Sequence, residues 1–127
     1  MFAWGWNIYG QLGIGNTTNQ SSPQPVLGGH TTWTHVSAGQ QHSLAIRGGQ
    51  LFAWGLNGSG QLGLGNTTNQ SSPQPVLGGH SDWTHISAGA YHSLAIRGGQ
   101  LFAWGWNGRG QLGLGNFTDQ LLSLIHI

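Results

Sequence analysis

The sequence repeats itself every 50 residues, and this repeat constrains the fold more than any other feature. The segment LFAWGLNGSGQLGLGN at residues 51–66 has near-copies at 1–16 and 101–116. Residues 1–50 and 51–100 differ at only ten of fifty positions, so the two units are expected to occupy equivalent environments. A fixed period of about 50 residues is typical of propellers and other repeat architectures. We therefore interpret the chain as an array of units.

Within one unit, four short segments have the composition of β-strands: PQPV at 73–76, WTHISA at 83–88, HSLAIR at 92–97 and LFAW at 101–104. The prolines of the first segment favour an edge position, because proline cannot donate to a sheet ladder. Gly98 and Gly99 separate the last two segments. A type I′ hairpin needs positive φ at both central residues, which glycine supplies. Since no segment has a helical period, we predict an all-β fold.

The strands carry apolar or small residues on both faces. A sheet with one solvent-exposed face would alternate apolar with strongly polar side chains along each strand. Two buried faces instead indicate a blade held between neighbouring blades of a propeller. We predict that Trp4, Trp54 and Trp104, which share one position of the repeat, pack between blades. The small residues of 87–89 are expected in the crowded inner part of each blade.

The unit resembles the regulator of chromosome condensation repeat. The resemblance rests on WGLNGSGQLGLG at 54–65, PQPV at 73–76, ISAG at 86–89 and HSLA at 92–95, and it covers residues 1–120 in order. It implies a β-propeller, usually of seven four-stranded blades. The founding eukaryotic member of that family is a guanine-nucleotide exchange factor on chromatin. Other members include a secreted bacterial inhibitor of β-lactamase and photoreceptor-type proteins.

The repeat divides the chain into units 1–50 and 51–100 and the start of a third unit at 101–120. We predict a partial β-propeller, two four-stranded blades plus the start of a third in an incomplete ring, because seven blades would need roughly 350 residues. Residues 121–127 (LLSLIHI) depart from the repeat and resemble read-through of a sequencing adapter, which predicts a truncated fragment; the alternative is a genuine C-terminal strand. Uncapped apolar faces and open strand edges predict self-association.

The composition offers few residues that could catalyse a reaction or bind a charged ligand. The charged residues are three arginines and two aspartates, and there is no cysteine. Because phosphate binding relies on grouped Lys and Arg, we expect no nucleic-acid partner. No apolar run approaches the roughly 20 residues of a membrane span, so no membrane contact is expected. Paired-carboxylate hydrolysis has no pair of acids, and neighbouring Ser and His of one strand face opposite ways. We therefore expect neither an enzyme nor a cofactor.

Two patterns imitate binding motifs. GSGQLG at 58–63 matches G-x-G-x-x-G, but no helix follows it and Ile8 breaks the pattern in the first unit, which favours a packed glycine-rich turn over a dinucleotide site. Three histidines recur in each unit without a nearby Glu or Cys. Zinc needs three or four converging ligands, so we expect no metal site. The resemblance implies a buried hydrogen-bonding role for His42 and His92.

Residues that differ between the near-identical units are the candidates for partner specificity. Several fall in loops, where propellers usually place binding contacts, and drift without selection is the alternative explanation. The candidate partner-binding residues are Trp6, Tyr9, Thr32, Gln41, Ser59, Asp82, Tyr91, Trp106 and Arg109.

The function that these features favour is a non-catalytic scaffold that binds a protein partner through its blade loops. Two alternatives come from other classes. One is guanine-nucleotide exchange by a complete parent protein, which the absence of lysine and the uniformity of the units disfavour. The other is carbohydrate binding through the loops rich in Trp and Asn.

Overall fold

The computed structural model describes residues 1–126, with side chains through residue 122, and over this range it contains strands and no helix. The all-β prediction is therefore confirmed, and the described residues include no helix that could cross a membrane. The strands are β1 (Phe2–Gly5), β2 (Gln20–Pro25), β3 (Trp33–Ala38), β4 (His42–Arg47), β5 (Gln50–Gly55), β6 (Gln70–Pro75), β7 (Trp83–Ala88), β8 (His92–Arg97), β9 (Gln100–Gly105) and β10 (Gln120–His126).

These strands form two four-stranded antiparallel sheets and one two-stranded sheet. The four-stranded sheets are β3-β4-β5-β6 and β7-β8-β9-β10, and β1 pairs with β2. The predicted fold class, a partial propeller with two four-stranded blades, is confirmed. Each four-stranded blade takes two strands from one 50-residue unit and two from the next, and the two-stranded sheet lies at the start of the chain.

The predicted hairpins are present. Arg97 pairs with Gln100 across Gly98 and Gly99, whose φ angles are 57° and 75°. Both central residues thus have the positive φ of a type I′ turn. The proline-containing strand β6 lies at the edge of its sheet, as the sequence predicts, because proline lacks the N–H that a central strand needs.

Strand β10 takes the register on β9 that β6 takes on β5. Gln120 lies opposite Gly105 and Leu124 lies opposite Ala103, pairs that are 50 residues on from those between β6 and β5. Residues 120–126 therefore occupy an edge-strand position although the sequence departs from the repeat after Gln120. The adapter origin of this segment stays a prediction.

The main core lies between the two four-stranded blades. Leu44 and Ile46 of β4 are buried there against Trp83, Ala95 and the loop that follows β5. Strand β3 packs against β7 along the inner edge of the two blades. A Cβ added at Gly39 would lie 2.5 Å from the Gly89 carbonyl oxygen, so this approach requires glycine. The small residues that end β3 and β7 thus lie at the crowded inner part of the blades, as predicted.

Candidate functional site

The glycine-rich stretch after β5 is a closed loop built around one buried asparagine. The Asn57 N–H donates to the Asn69 side chain at 2.8 Å, and Asn57 Oδ1 accepts the Leu62 N–H at 3.0 Å. Asn57 Nδ2 donates to the carbonyl oxygens of Asn66 and Thr68 at 2.9 and 3.0 Å. Each of these hydrogen bonds pairs a polar group that would cost about 1–3 kcal/mol if it were buried without a partner. The single Asn57 residue therefore stabilises the whole turn.

The loop uses its own N–H groups and does not present them to an anion. A phosphate cradle offers free backbone N–H groups at the start of a helix. In this loop, the Gly60 N–H donates to the Asn57 carbonyl at 3.0 Å and the Gly63 N–H donates to the Gly60 carbonyl at 3.0 Å. This agrees with the packed-turn interpretation of the glycine pattern.

Each such loop also joins two blades. The Gln61 carbonyl accepts hydrogen bonds from Ser93 Oγ at 2.7 Å and from the Trp104 indole N–H at 2.9 Å. Both donors belong to the following blade and are buried. No residue type in the sequence predicts this role of Gln61, because the contact uses a backbone carbonyl that any residue carries.

The equivalent tryptophans differ in burial. Trp54 donates to the Gln11 carbonyl at 2.8 Å and is buried like Trp104, so the prediction that these two pack between blades is confirmed. Trp4 is 59% exposed, and for it the prediction is wrong. The described residues contain no earlier unit whose loop would cover it.

His42 and Ser93 form a buried polar contact between the two four-stranded blades. His42 Nε2 lies 3.0 Å from Ser93 Oγ, and both side chains are buried. Ser93 has one hydroxyl hydrogen, and it donates that hydrogen to the Gln61 carbonyl. Nε2 of His42 must therefore be the donor and Ser93 Oγ the acceptor. This direction is the opposite of a nucleophile–base pair, in which histidine accepts the serine proton.

The environment of His42 keeps its ring neutral. Burial, followed by the charge of His92, lowers the pKa of His42 from 6.5 to about 4. Burial also lowers the pKa of His92, whose ring is only half-buried. The buried hydrogen-bonding role that the sequence resemblance implies is confirmed for His42.

Seven of the nine candidate residues lie at one end of the strands, where β1, β5 and β9 finish and β4 and β8 begin. We call this the loop end. Its geometry is set by hydrogen bonds from the Leu56 N–H to the Gln41 carbonyl at 2.8 Å and from the Trp106 N–H to the Tyr91 carbonyl at 2.9 Å. The seven residues are Trp6, Tyr9, Gln41, Ser59, Tyr91, Trp106 and Arg109.

The loop end carries two aromatic pairs. The Trp6 and Tyr9 rings meet edge to face at 5.8 Å, and the Tyr91 and Trp106 rings do so at 6.0 Å. The Trp106 indole also lies over Gly108, where a Cβ would come within 2.7 Å of the ring nitrogen. The differences between units are therefore coordinated, because each loop tryptophan packs against a residue that varies with it.

Thr32 and Asp82 lie at the opposite end, which we call the hairpin end. They immediately precede β3 and β7 and are exposed. Asp82 forms an ion pair with Arg97 at 3.5 Å. The structure thus does not bring these two candidates together with the other seven.

A groove of about 400 Å³ lies beside β1. It is lined by Phe2 and Trp4 of the two-stranded sheet and by Val36 and Ser43 of the next blade. Phe2 and Val36 are 64% and 62% exposed. Along this groove, the first four-stranded blade is open on the side that faces β1, whereas its other side packs against the second four-stranded blade.

The fold and its interblade loops define the chain as part of a β-propeller. The family model for the regulator of chromosome condensation (RCC1) repeat matches residues 1–46 and 48–96, and a second model of the same repeat matches 33–61 and 83–111. The chain therefore belongs to the RCC1 repeat family.

Individual relatives resemble parts or all of the chain. The ultraviolet-B receptor UVR8 of Arabidopsis thaliana is 40% identical over 47 residues, which are 36% of this chain and 11% of that protein. Human WBSCR16 superposes with a TM-score of 0.84 at 26% identity, over 99% of this chain and 34% of its own. Prp20p of Saccharomyces cerevisiae superposes with a TM-score of 0.85 at 21% identity, over 98% and 33%. The chain thus spans about a third of the length of these solved structures.

Proposed function

We propose that this chain is a non-catalytic part of a protein-binding scaffold and that its partner contacts the loop end of the blades. The observation that carries the proposal is the grouping of seven variable residues at that end, including both aromatic pairs. Two units that are identical at most positions but carry a group of differences at one end of the blades are suited to present different contacts on a common frame.

The chemistry of this surface supports a protein partner. Trp, Tyr and Arg are the residues most enriched at the energetic centres of protein interfaces. Trp6 is 47% exposed and Arg109 is exposed, while Tyr91 and Trp106 are half-buried beside them. Half-buried aromatic rings are already ordered, so that binding would immobilise few additional side chains.

Solved relatives support the same class of partner. The structure of Prp20p was described with its binding properties to Gsp1p and histones, and the yeast protein has also been solved bound to Kap60. Prp20p, a relative whose likeness to this chain at 21–22% identity is one of fold, thus has protein partners.

The contacts disfavour carbohydrate binding and nucleophilic catalysis. Carbohydrate binding through the loop asparagines would use free side-chain amides, but the Asn57 amide is fully engaged within its loop and the side-chain oxygens of Asn66 and Asn69 already accept hydrogen bonds there. The Ser93–His42 pair is buried with its hydrogen bonds directed away from nucleophilic chemistry.

The test uses the full chain immobilised on a resin, with three forms compared in parallel. The first is the unmodified chain, the second carries Trp6→Ala and Trp106→Ala at the loop end, and the third carries Thr32→Ala and Asp82→Ala at the hairpin end. We expect the first and third forms to capture a protein other than this chain. The affinity of that protein for the second form should be at least tenfold lower. Equal retention by all three forms, or capture of no protein, would overturn the proposal.

A further inference from the structure

The inner edge of the blades brings together two histidines that are 50 residues apart in the chain. His35 lies on β3 and His85 on β7, the two strands that pack side by side between blades. Their ring centroids are 6.2 Å apart with an interplanar angle of 49°, and both side chains are exposed. This pair takes no part in the interblade contacts of His42 or in the loop end.

The hydrogen bonds around each ring determine which nitrogen carries the proton. Thr34 Oγ1 donates its one hydrogen to the Ile46 carbonyl at 3.2 Å. The same oxygen lies 3.0 Å from His35 Nδ1, so it must accept a hydrogen from that nitrogen. The neutral His35 ring therefore carries its proton on Nδ1 and a free lone pair on Nε2.

The second histidine repeats this arrangement. Thr84 Oγ1 donates to the Ile96 carbonyl at 3.2 Å and lies 3.0 Å from His85 Nδ1. Two neighbouring imidazoles thus both have an unprotonated Nε2, and two acceptors cannot hydrogen-bond to each other. A hydrogen bond on the other ring nitrogen is the feature that orients histidines as metal ligands.

We propose that His35 and His85 bind one divalent transition-metal ion of the Zn²⁺, Ni²⁺ or Cu²⁺ class through Nε2 of each ring, with water completing the coordination shell. Imidazole suits these ions, whereas Mg²⁺ and Ca²⁺ require oxygen ligands. Among the described residues no group of three or more candidate ligands occurs, so the site has two protein ligands and is weaker than a structural zinc site.

The spacing explains why the sequence did not predict this site. Within one unit the histidines are separated along different strands and do not converge. The proposed ligands are instead the same position of two successive units, and only the stacking of blades makes them neighbours. Because Thr and His repeat together at 34–35 and 84–85, any further unit with this sequence would add another such pair.

The test measures Zn²⁺ binding to the full chain by isothermal titration calorimetry, with ZnCl₂ as the only ligand. We expect one ion per chain, with an affinity that falls at least tenfold in His35→Ala and in His85→Ala. The matched control is the double variant His30→Ala with His80→Ala, which removes two other recurring histidines and should leave the affinity unchanged. Thr34→Val with Thr84→Val should weaken binding several-fold, because it removes the acceptors that hold the Nδ1 protons.

A direct readout separates ligation from indirect effects. On Zn²⁺ addition, the ¹⁵N resonances of the two Nε2 atoms should shift, while those of the Nδ1 atoms keep the signature of a protonated nitrogen. Unchanged affinity in His35→Ala, or equal losses in the control, would overturn the proposal. A stoichiometry of one ion per two chains would also overturn it, since the ion would then join separate molecules.

Discussion

At the scale of the residue, the blades are held together by a few buried polar side chains whose hydrogen bonds each have one possible direction. Ser93 donates to the Gln61 carbonyl and accepts from His42. Asn57 satisfies a loop that would otherwise bury unpaired backbone groups. Such groups are costly when one partner is removed, and so each makes a distinct prediction.

Neutrality of His42 predicts that the chain loses stability in acid. Because burial lowers the pKa of His42 to about 4, the unfolded chain, with an ordinary pKa near 6.5, binds more protons between those values. Stability is therefore full above pH 6.5 and falls by about 3 kcal/mol as the pH drops to 4. Urea unfolding at a fixed chain concentration, repeated from pH 7.5 to 4.5, measures this dependence.

The matched variants are His42→Gln and His92→Gln, which change the same position of two units. His42→Gln should flatten the pH dependence, and His92→Gln should flatten it less, because the ring of His92 is only half-buried. If both variants flattened the pH dependence equally, burial of His42 between the blades would not be the cause of the loss of stability in acid.

Removal of the loop asparagine should be strongly destabilising. Asn57→Ala leaves the Leu62 N–H and the carbonyls of Asn66 and Thr68 without their partner, at a cost of about 2–4 kcal/mol. The control is Asn69→Asp, because Asp119 already accepts the Asn107 N–H at 2.8 Å in the third copy of this loop. Thermal unfolding followed by circular dichroism should show a large loss for Asn57→Ala and a change below about 1 kcal/mol for the control. Similar losses in both variants would contradict this account of the loop.

At the scale of the element, two identical hairpins differ in what surrounds them. Gly49 and Gly99 have φ angles of 76° and 75° and the same sequence context. A Cβ at Gly49 would overlap the Ser81 carbonyl group, whereas a Cβ at Gly99 would meet nothing within 4 Å. The first hairpin is thus covered by the next blade, since the Trp83 N–H donates to the Gly49 carbonyl at 3.0 Å.

This difference predicts unequal effects of one substitution. Asparagine tolerates the left-handed region that a type I′ turn needs, so Gly99→Asn should cost less than about 1 kcal/mol. Gly49→Asn must also displace the backbone of Ser81, which adds roughly 1–3 kcal/mol. Denaturant midpoints of the two variants measure the difference, and equal midpoints would refute a packed contact at the first hairpin.

Elements were predictable from sequence where local chemistry decides them. The hairpin glycines, the prolines of the edge strand and the strand alternation all act over a few residues. The pairings of Gln61 with Trp104 and of His35 with His85 were not predictable, because each joins residues of different blades through stacking geometry. Among the candidate residues, variation between units selected seven residues that lie at the loop end. It also selected Thr32 and Asp82, which lie at the hairpin end, because variability does not show at which end of a blade a residue lies.

At the scale of the whole molecule, the two faces of the first four-stranded blade are unequal in cover. Leu44 and Ile46 are buried against the next blade, whereas Phe2, Trp4 and Val36 border the open groove beside β1. The partner strand of β1 in the described residues is β2, on one side only. An apolar groove beside a free strand edge favours association with other chains.

We therefore expect the chain to self-associate through this groove. Sedimentation velocity at micromolar concentrations should show oligomers whose fraction rises with concentration. Phe2→Ser with Val36→Ser should shift the population towards the monomer, because both side chains line the groove and neither is needed inside a blade core. Phe117→Ser is the control, since Phe117 is 72% exposed but lies outside the groove, and it should leave the distribution unchanged. A concentration-independent monomer that unfolds cooperatively would contradict the prediction, and an equal effect of the control would mean that association is non-specific and does not depend on the groove.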